Sequence, residues 1–203
     1  MNLIKNVLVK NSPYLFLFKF LAVFFFLYFF FPFYRGLIGR GGQMYSPYFE
    51  SHFNIITSLT RLLTTSANYV LEGVGFETIQ KDYHSIKIGY SKGITVNPSC
   101  LGWAVMSFWV AFVSANKGSL SYKLKWVLFG LTSVILLNII RIALIAVANH
   151  ANWRTITSLD HHQTFNVASY VCIAILIGGY VNVQKKYERI HRAGEVSEII
   201  GIR

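Results

Sequence analysis

Three groups of polar residues sit at or inside apolar runs of this sequence, where polarity needs a reason. Cys100 lies in Asn97-Pro98-Ser99-Cys100-Leu101-Gly102, where a loop gives way to an apolar run. A thiol at a helix N-terminus feels the positive end of the helix dipole, which favours the nucleophilic thiolate. The plainer reading is a small buried residue, and that reading suits Cys172, set between Val171 and Ile173. Arg141 lies deep in an apolar stretch, three residues after Asn138 and on the same helical face. An arginine near a bilayer centre costs at least ~2.5 kcal/mol, so it normally faces a bundle interior and a partner. Asp160-His161-His162 precedes the last apolar run, and histidine is a general base near neutral pH.

Thiol, imidazole and guanidinium together make a nucleophile, a base and an oxyanion or carboxylate binder. No third or fourth ligand at metal spacing accompanies the histidine pair, so neither a metal nor a cofactor is expected. His150 reads as a solvated interfacial residue as readily as a ligand, and His52, His84 and His191 show no pattern.

The elements that must position these groups are membrane spans. Only 13% of the 203 residues are charged, 54% are hydrophobic and 16% aromatic, with mean hydropathy +0.45. Such a composition excludes disorder, and two cysteines exclude a disulfide scaffold. The net charge of +11 does not point to nucleic acid, because the basic residues flank apolar runs instead of clustering on one face. Four spans are expected, at 14–33, 100–115, 126–148 and 165–183, each near the ~20 residues a bilayer needs. The first is too long and aromatic for a cleaved signal peptide. Short loops carrying Lys117, Lys123 and Lys125, and a tail at 185–203 with Lys185, Lys186 and Arg189, put both termini in the cytoplasm. The loops of Cys100 and His162 then face outward. Arg141 lies about 10 Å along the helix from the outer end of the third span, so the three groups can converge beneath the outer surface.

Two segments between the first and second spans differ. Residues 53–71 put Ile55, Ile56, Leu59, Leu62 and Leu63 on one helical face but hold Arg61 and many hydroxyls. They predict an amphipathic helix on the outer membrane surface or packed on the bundle. A full span there would reverse the side of all that follows. Residues 75–96 alternate with period two (Ile86, Ile88, Tyr90; Ile94, Val96) between glycines, predicting a β-hairpin or three-stranded meander outside the hydrocarbon. Its edge is a place for an extended substrate. The expected fold is therefore an all-α integral membrane bundle with a small extracytoplasmic β-element: one membrane domain over 1–184 and a basic tail.

Cys100-Leu101-Gly102, the intramembrane Asn138-x-x-Arg141-Ile142 and His162 before the last span resemble, in order and placement, the exosortase/archaeosortase family of membrane cysteine transpeptidases. The resemblance covers roughly residues 75–184. It implies Cys100 as nucleophile, Arg141 as essential arginine and His162 as base. It also implies substrates that are membrane-anchored proteins with C-terminal sorting signals, processed by acyl transfer at the outer face of the cell (inner) membrane. Leu101 replaces the usual small residue between Cys and Gly, and Asn166 stands where a glycine is common, so His161 is the base if the register differs. The chain resembles the compact members of the family. The rival readings are a non-catalytic assembly factor, with Arg141 a structural partner of Asn138, and a small transporter with Arg141 on an anion path.

Overall fold

The computed structural model describes residues 13–90, 93–151, 167, 170–186 and 189. The chain forms two compact units, Met1–Arg154 and Thr155–Arg203. In the second, residues 170–186 are helical, overlapping the stretch 165–183 expected as a last span. Trp153, Asp160, His161, His162, Asn166 and the tail beyond 189 lie outside the described residues.

The first unit is mostly helical. Helix α1 (Pro13–Ile38) starts on a proline that suits a helix N-terminus and is apolar all round, as a helix facing lipid must be. A short α2 (Pro47–His52) and an amphipathic α3 (Ile55–Gly73) follow. Then come strands β1 (Thr78–Ile79), β2 (Ser85–Ile88) and β3 (Ile94–Thr95). A 3₁₀ turn (Pro98–Leu101) leads into α4 (Trp103–Ala115) and α5 (Leu120–His150). Three segments are long and apolar enough to cross a membrane: Pro13–Ile38, Pro98–Ala115 and Leu120–His150. The molecule is thus built as a multi-pass membrane protein.

An aromatic seam joins α1 to α4. Phe16, Phe20, Phe24 and Tyr28 stack one turn apart along α1. Phe16 and Phe20 meet Phe112 and Phe108 edge-on, with centroids 6.2 and 5.3 Å apart. Nearer the other end, Phe31 stacks on Trp103 at 5.0 Å. Pro32 lies inside α1 and supplies no N–H, which loosens the carbonyls one turn back. The Trp103 indole donates to Leu27 O, five residues before Pro32, at 2.9 Å.

Helices α4 and α5 pack closely around Trp109. Trp109, buried, donates from Nε1 to Trp126 O at 2.9 Å. A Cβ at Gly130 would lie 1.9 Å from that nitrogen. Gly130 therefore has no side chain because the indole occupies its place, a small-residue approach typical of membrane helices.

Helix α3 packs on α5, and its buried face differs from the expected one. Ile56, Leu59 and Leu63 turn inward as expected, but Ile55 and Leu62 are exposed, and Thr60, Thr64, Ala67 and Asn68 are buried instead. The small residues permit close approach. The hydroxyls cost little because each bonds within the helix: Thr60 to Ile56 O and Thr64 to Thr60 O, both at 2.8 Å. Asn54 caps the helix, accepting from Thr57 N at 3.0 Å.

The strands form an antiparallel meander in the order β1-β2-β3, paired Thr78↔Ile88 and Ser85↔Thr95. Ile86, Ile88 and Val96 point into one core with Leu63, Ala67 and Leu71 of α3, Leu101, and Ile139, Ile142, Ala143 and Ala146 of α5.

Candidate functional site

Cys100 does not open a helix. It sits in the 3₁₀ turn Pro98–Leu101, its N–H bonded to Asn97 O at 2.8 Å, and α4 begins only at Trp103. Between them Gly102 adopts φ +72°, a left-handed conformation that breaks the run of helical amides. The expected help from the α4 dipole is therefore reduced, since that effect falls off within one turn. The turn has a geometric purpose. Thirteen α-helical residues rise about 20 Å, short of a ~30 Å hydrocarbon core. Adding the 3₁₀ turn, at about 2 Å per residue, brings the segment to roughly that thickness and sets Cys100 near its boundary.

The turn is tied to α5 by a side chain. Asn138, 5% exposed, donates from Nδ2 to Leu101 O at 3.2 Å. The fit is close: a Cβ at Gly102 would stand 2.5 Å from that same nitrogen. Cys100 is half-buried against the core shared by α3, α5 and the sheet. Arg141 is three residues beyond Asn138, about 4.5 Å further along the axis toward the sheet. It is also half-buried, and its Nε is shielded with no hydrogen-bond partner among the described residues. Asn138 thus spends its amide on the cysteine turn and not on Arg141.

A second amide grips the same chain segment. Asn149 donates to Gly93 O at 2.9 Å, so the stretch from β3 to the cysteine turn is strapped to α5 at both ends. This alters the expected use of the sheet edge. Val96 N donates to His84 O at 2.7 Å, and the alternation of an antiparallel ladder then turns the Gly93 and Thr95 backbone groups away from β2. Asn149 covers the first of these. The other edge, β1, keeps the outward backbone groups of Thr78, while its side chain donates to Glu72 Oε1 at 2.9 Å.

His84 carried no pattern in the sequence, yet it is chemically conspicuous in the fold. It pairs with Val96, four residues before Cys100, and shares its strand face with the buried Ile86 and Ile88. Its Nδ1 is buried with no hydrogen-bond partner among the described residues. His150 ends α5 with its ring edge-on to Phe76 at 6.1 Å. A signal for His84 existed in its parity with Ile86 and Ile88.

A cleft of about 310 Å³ opens beside the cysteine turn, lined by Tyr28, Phe29, Phe31 and Pro32 of α1 and by Pro98, Ser99, Trp103 and Ala104. The structure thus ties the Cys100 turn to Asn138, with Arg141 three residues further along the same helix; His162, expected as the base, lies outside the described residues. No family model, curated protein or solved structure matches the chain.

Proposed function

We propose that this chain is a membrane-embedded cysteine transpeptidase or protease of the exosortase/archaeosortase kind, acting on membrane-anchored proteins with C-terminal sorting signals. The observation that carries the reading is the Asn138–Leu101 bond, which ties the Cys100 turn to the helix bearing Arg141, whose buried Nε has no acceptor. A shielded donor with no acceptor among the described residues, one helical turn from the amide that holds the cysteine turn, suits a carbonyl oxygen that arrives with substrate.

In this mechanism His162 takes the proton of Cys100. The thiolate attacks a substrate carbonyl carbon, and Arg141 donates to the resulting oxyanion. The C–N bond breaks, the imidazolium returns its proton to the departing amine, and a thioester remains on Cys100. An amine, a lipid-linked group or water then attacks the thioester carbonyl, giving up a proton to the imidazole as the sulfur leaves. The chain crosses the cell membrane four times with both termini cytoplasmic, and the chemistry takes place at the outer face. The reading that makes Arg141 a structural partner of Asn138 is less well supported, because Asn138 is engaged elsewhere.

Substrate trapping tests the reaction. Acid quenching of the parent chain in cells should capture the thioester on Cys100 for mass spectrometry, while His162→Ala and Cys100→Ala carry no adduct and lose processing. Absence of the adduct in the parent chain, together with unchanged processing in the variants, ends the reading. His84→Phe, run alongside, asks whether the imidazole on the sheet is the base instead.

A further inference from the structure

We infer that Asn138 is the positioning residue for the Cys100 thiol, acting by holding the Leu101 carbonyl and with it the 3₁₀ turn; the inference rests on the acyl-transfer reading for its meaning, though not for its measurement.

Four observations converge. Asn138 is almost fully buried in a helix whose other buried residues are apolar, among them Val134, Ile139, Ile142 and Ala146. A polar side chain there needs a partner, and the partner is the Leu101 carbonyl. That carbonyl belongs to the residue after Cys100, so the bond constrains the Leu101–Gly102 peptide, one removed from the thiol-bearing residue. Gly102, the next residue, is left-handed and pressed on the same amide, so the turn can sit no other way without displacing Asn138. The far clamp, Asn149, holds Gly93 seven residues before Cys100, leaving Asn138 as the near one. Arg141 rides on the same helix as Asn138. A bond that fixes the turn to α5 therefore also fixes the thiol relative to the guanidinium, and near-attack geometry depends on such placement.

The test uses the full chain in lipid nanodiscs, on a Cys172→Ala background so that Cys100 is the single thiol. Two variants remove the donor: Asn138→Ala, and Asn138→Leu, which is nearly isosteric and keeps the volume in an apolar site. The readouts are the rate of Cys100 alkylation by iodoacetamide, membrane abundance and the thermal midpoint. Loss of one buried hydrogen bond is expected to change the alkylation rate by about tenfold, with the Leu variant at wild-type abundance. Asn149→Ala, which releases only the far clamp, should stay close to the parent rate. An unchanged alkylation rate in a folded Leu variant overturns the inference. Failure of the Leu variant to accumulate does so too, because it makes Asn138 a folding residue. Processing assays are read separately. If Cys100→Ala still processes substrate, the acyl-transfer reading falls, while the alkylation rates still report whether Asn138 holds the turn.

Discussion

Cys100 and Arg141 become informative through the company they keep. The thiol lies beside a turn pinned by one amide, and the guanidinium nitrogen is shielded without an acceptor. Arg141→Lys keeps the charge but loses the planar fork of donors. On the proposed mechanism this variant inserts and accumulates at parental level and loses about 100-fold or more in processing. On a structural role it loses abundance and keeps its activity per molecule, so immunoblot and processing assay side by side separate the two. A second residue-scale expectation concerns the loop after α1, where Glu50 accepts from Arg40 Nε at 2.8 Å and from the Tyr45 hydroxyl. The Tyr45 hydrogen bond, and then Arg40, hold the Glu50 carboxyl below its ordinary value, while the bond to Glu50 pushes Tyr45 above its own. The Glu50 contribution is therefore present above the ordinary carboxylate range and lost as pH falls through the folded value. The Tyr45 contribution is present below the ordinary phenol range and lost as pH rises through its folded value. Hydrogen-exchange protection in residues 39–46, taken relative to the intrinsic rate at each pH, should be highest between those limits and fall on acidification.

At the scale of elements, Gly130 is the position where α4 and α5 have least room. Gly130→Leu should cost about 1–3 kcal/mol or more through overpacking against Trp109, read as a lower thermal midpoint, and Trp109→Phe in the same chain should recover part of it. Much of this level was legible beforehand. The three candidate spans and the strands follow from apolar runs and from period-two isoleucines between glycines. The buried face of α3 was not legible, because a hydrophobic count cannot see that Thr60 and Thr64 satisfy their hydroxyls inside the helix and so become small packing residues. The start of α4 was misjudged for a related reason: Gly102 reads as an ordinary glycine until its left-handed φ separates Cys100 from the helix. The roles of Asn138 and Asn149 depend on carbonyls 37 and 56 residues away, a separation that no local pattern encodes.

For the molecule as a whole, α5 is the organiser. Its 31 residues rise about 46 Å, well beyond a hydrocarbon core of ~30 Å. The surplus forms the post to which the sheet and the cysteine segment are strapped. All of the acidic residues in the described part, Glu50, Glu72, Glu77 and Asp82, lie between α1 and the cysteine turn. Lys117, Lys123 and Lys125 cluster where α4 turns into α5, and Lys123 Nζ reaches Ser114 O at 2.9 Å. That polarity supports the proposed orientation. Reporter fusions at Ser119 and Ser197 should both read cytoplasmic; an external reading at Ser119 would invert the bundle and place the cysteine turn on the cytoplasmic side.

The seam between α1 and α4 also has a consequence for how the protein is made. Trp103 and Leu27 are bonded across 76 positions of sequence, and most of what separates them, residues 39–97, lies outside the candidate spans. At translation rates of about 5–20 residues per second, α1 emerges roughly 4–15 s before the helix that covers its phenylalanines. For that interval it is a lone aromatic helix, held by lipid or by the insertion machinery, and its partner must find it by lateral diffusion in the plane of the bilayer. Variants that weaken the seam, such as Phe20→Ala with Phe108→Ala, should therefore prolong contact between the nascent chain and the insertase, in pulse-chase crosslinking, before they alter the finished fold.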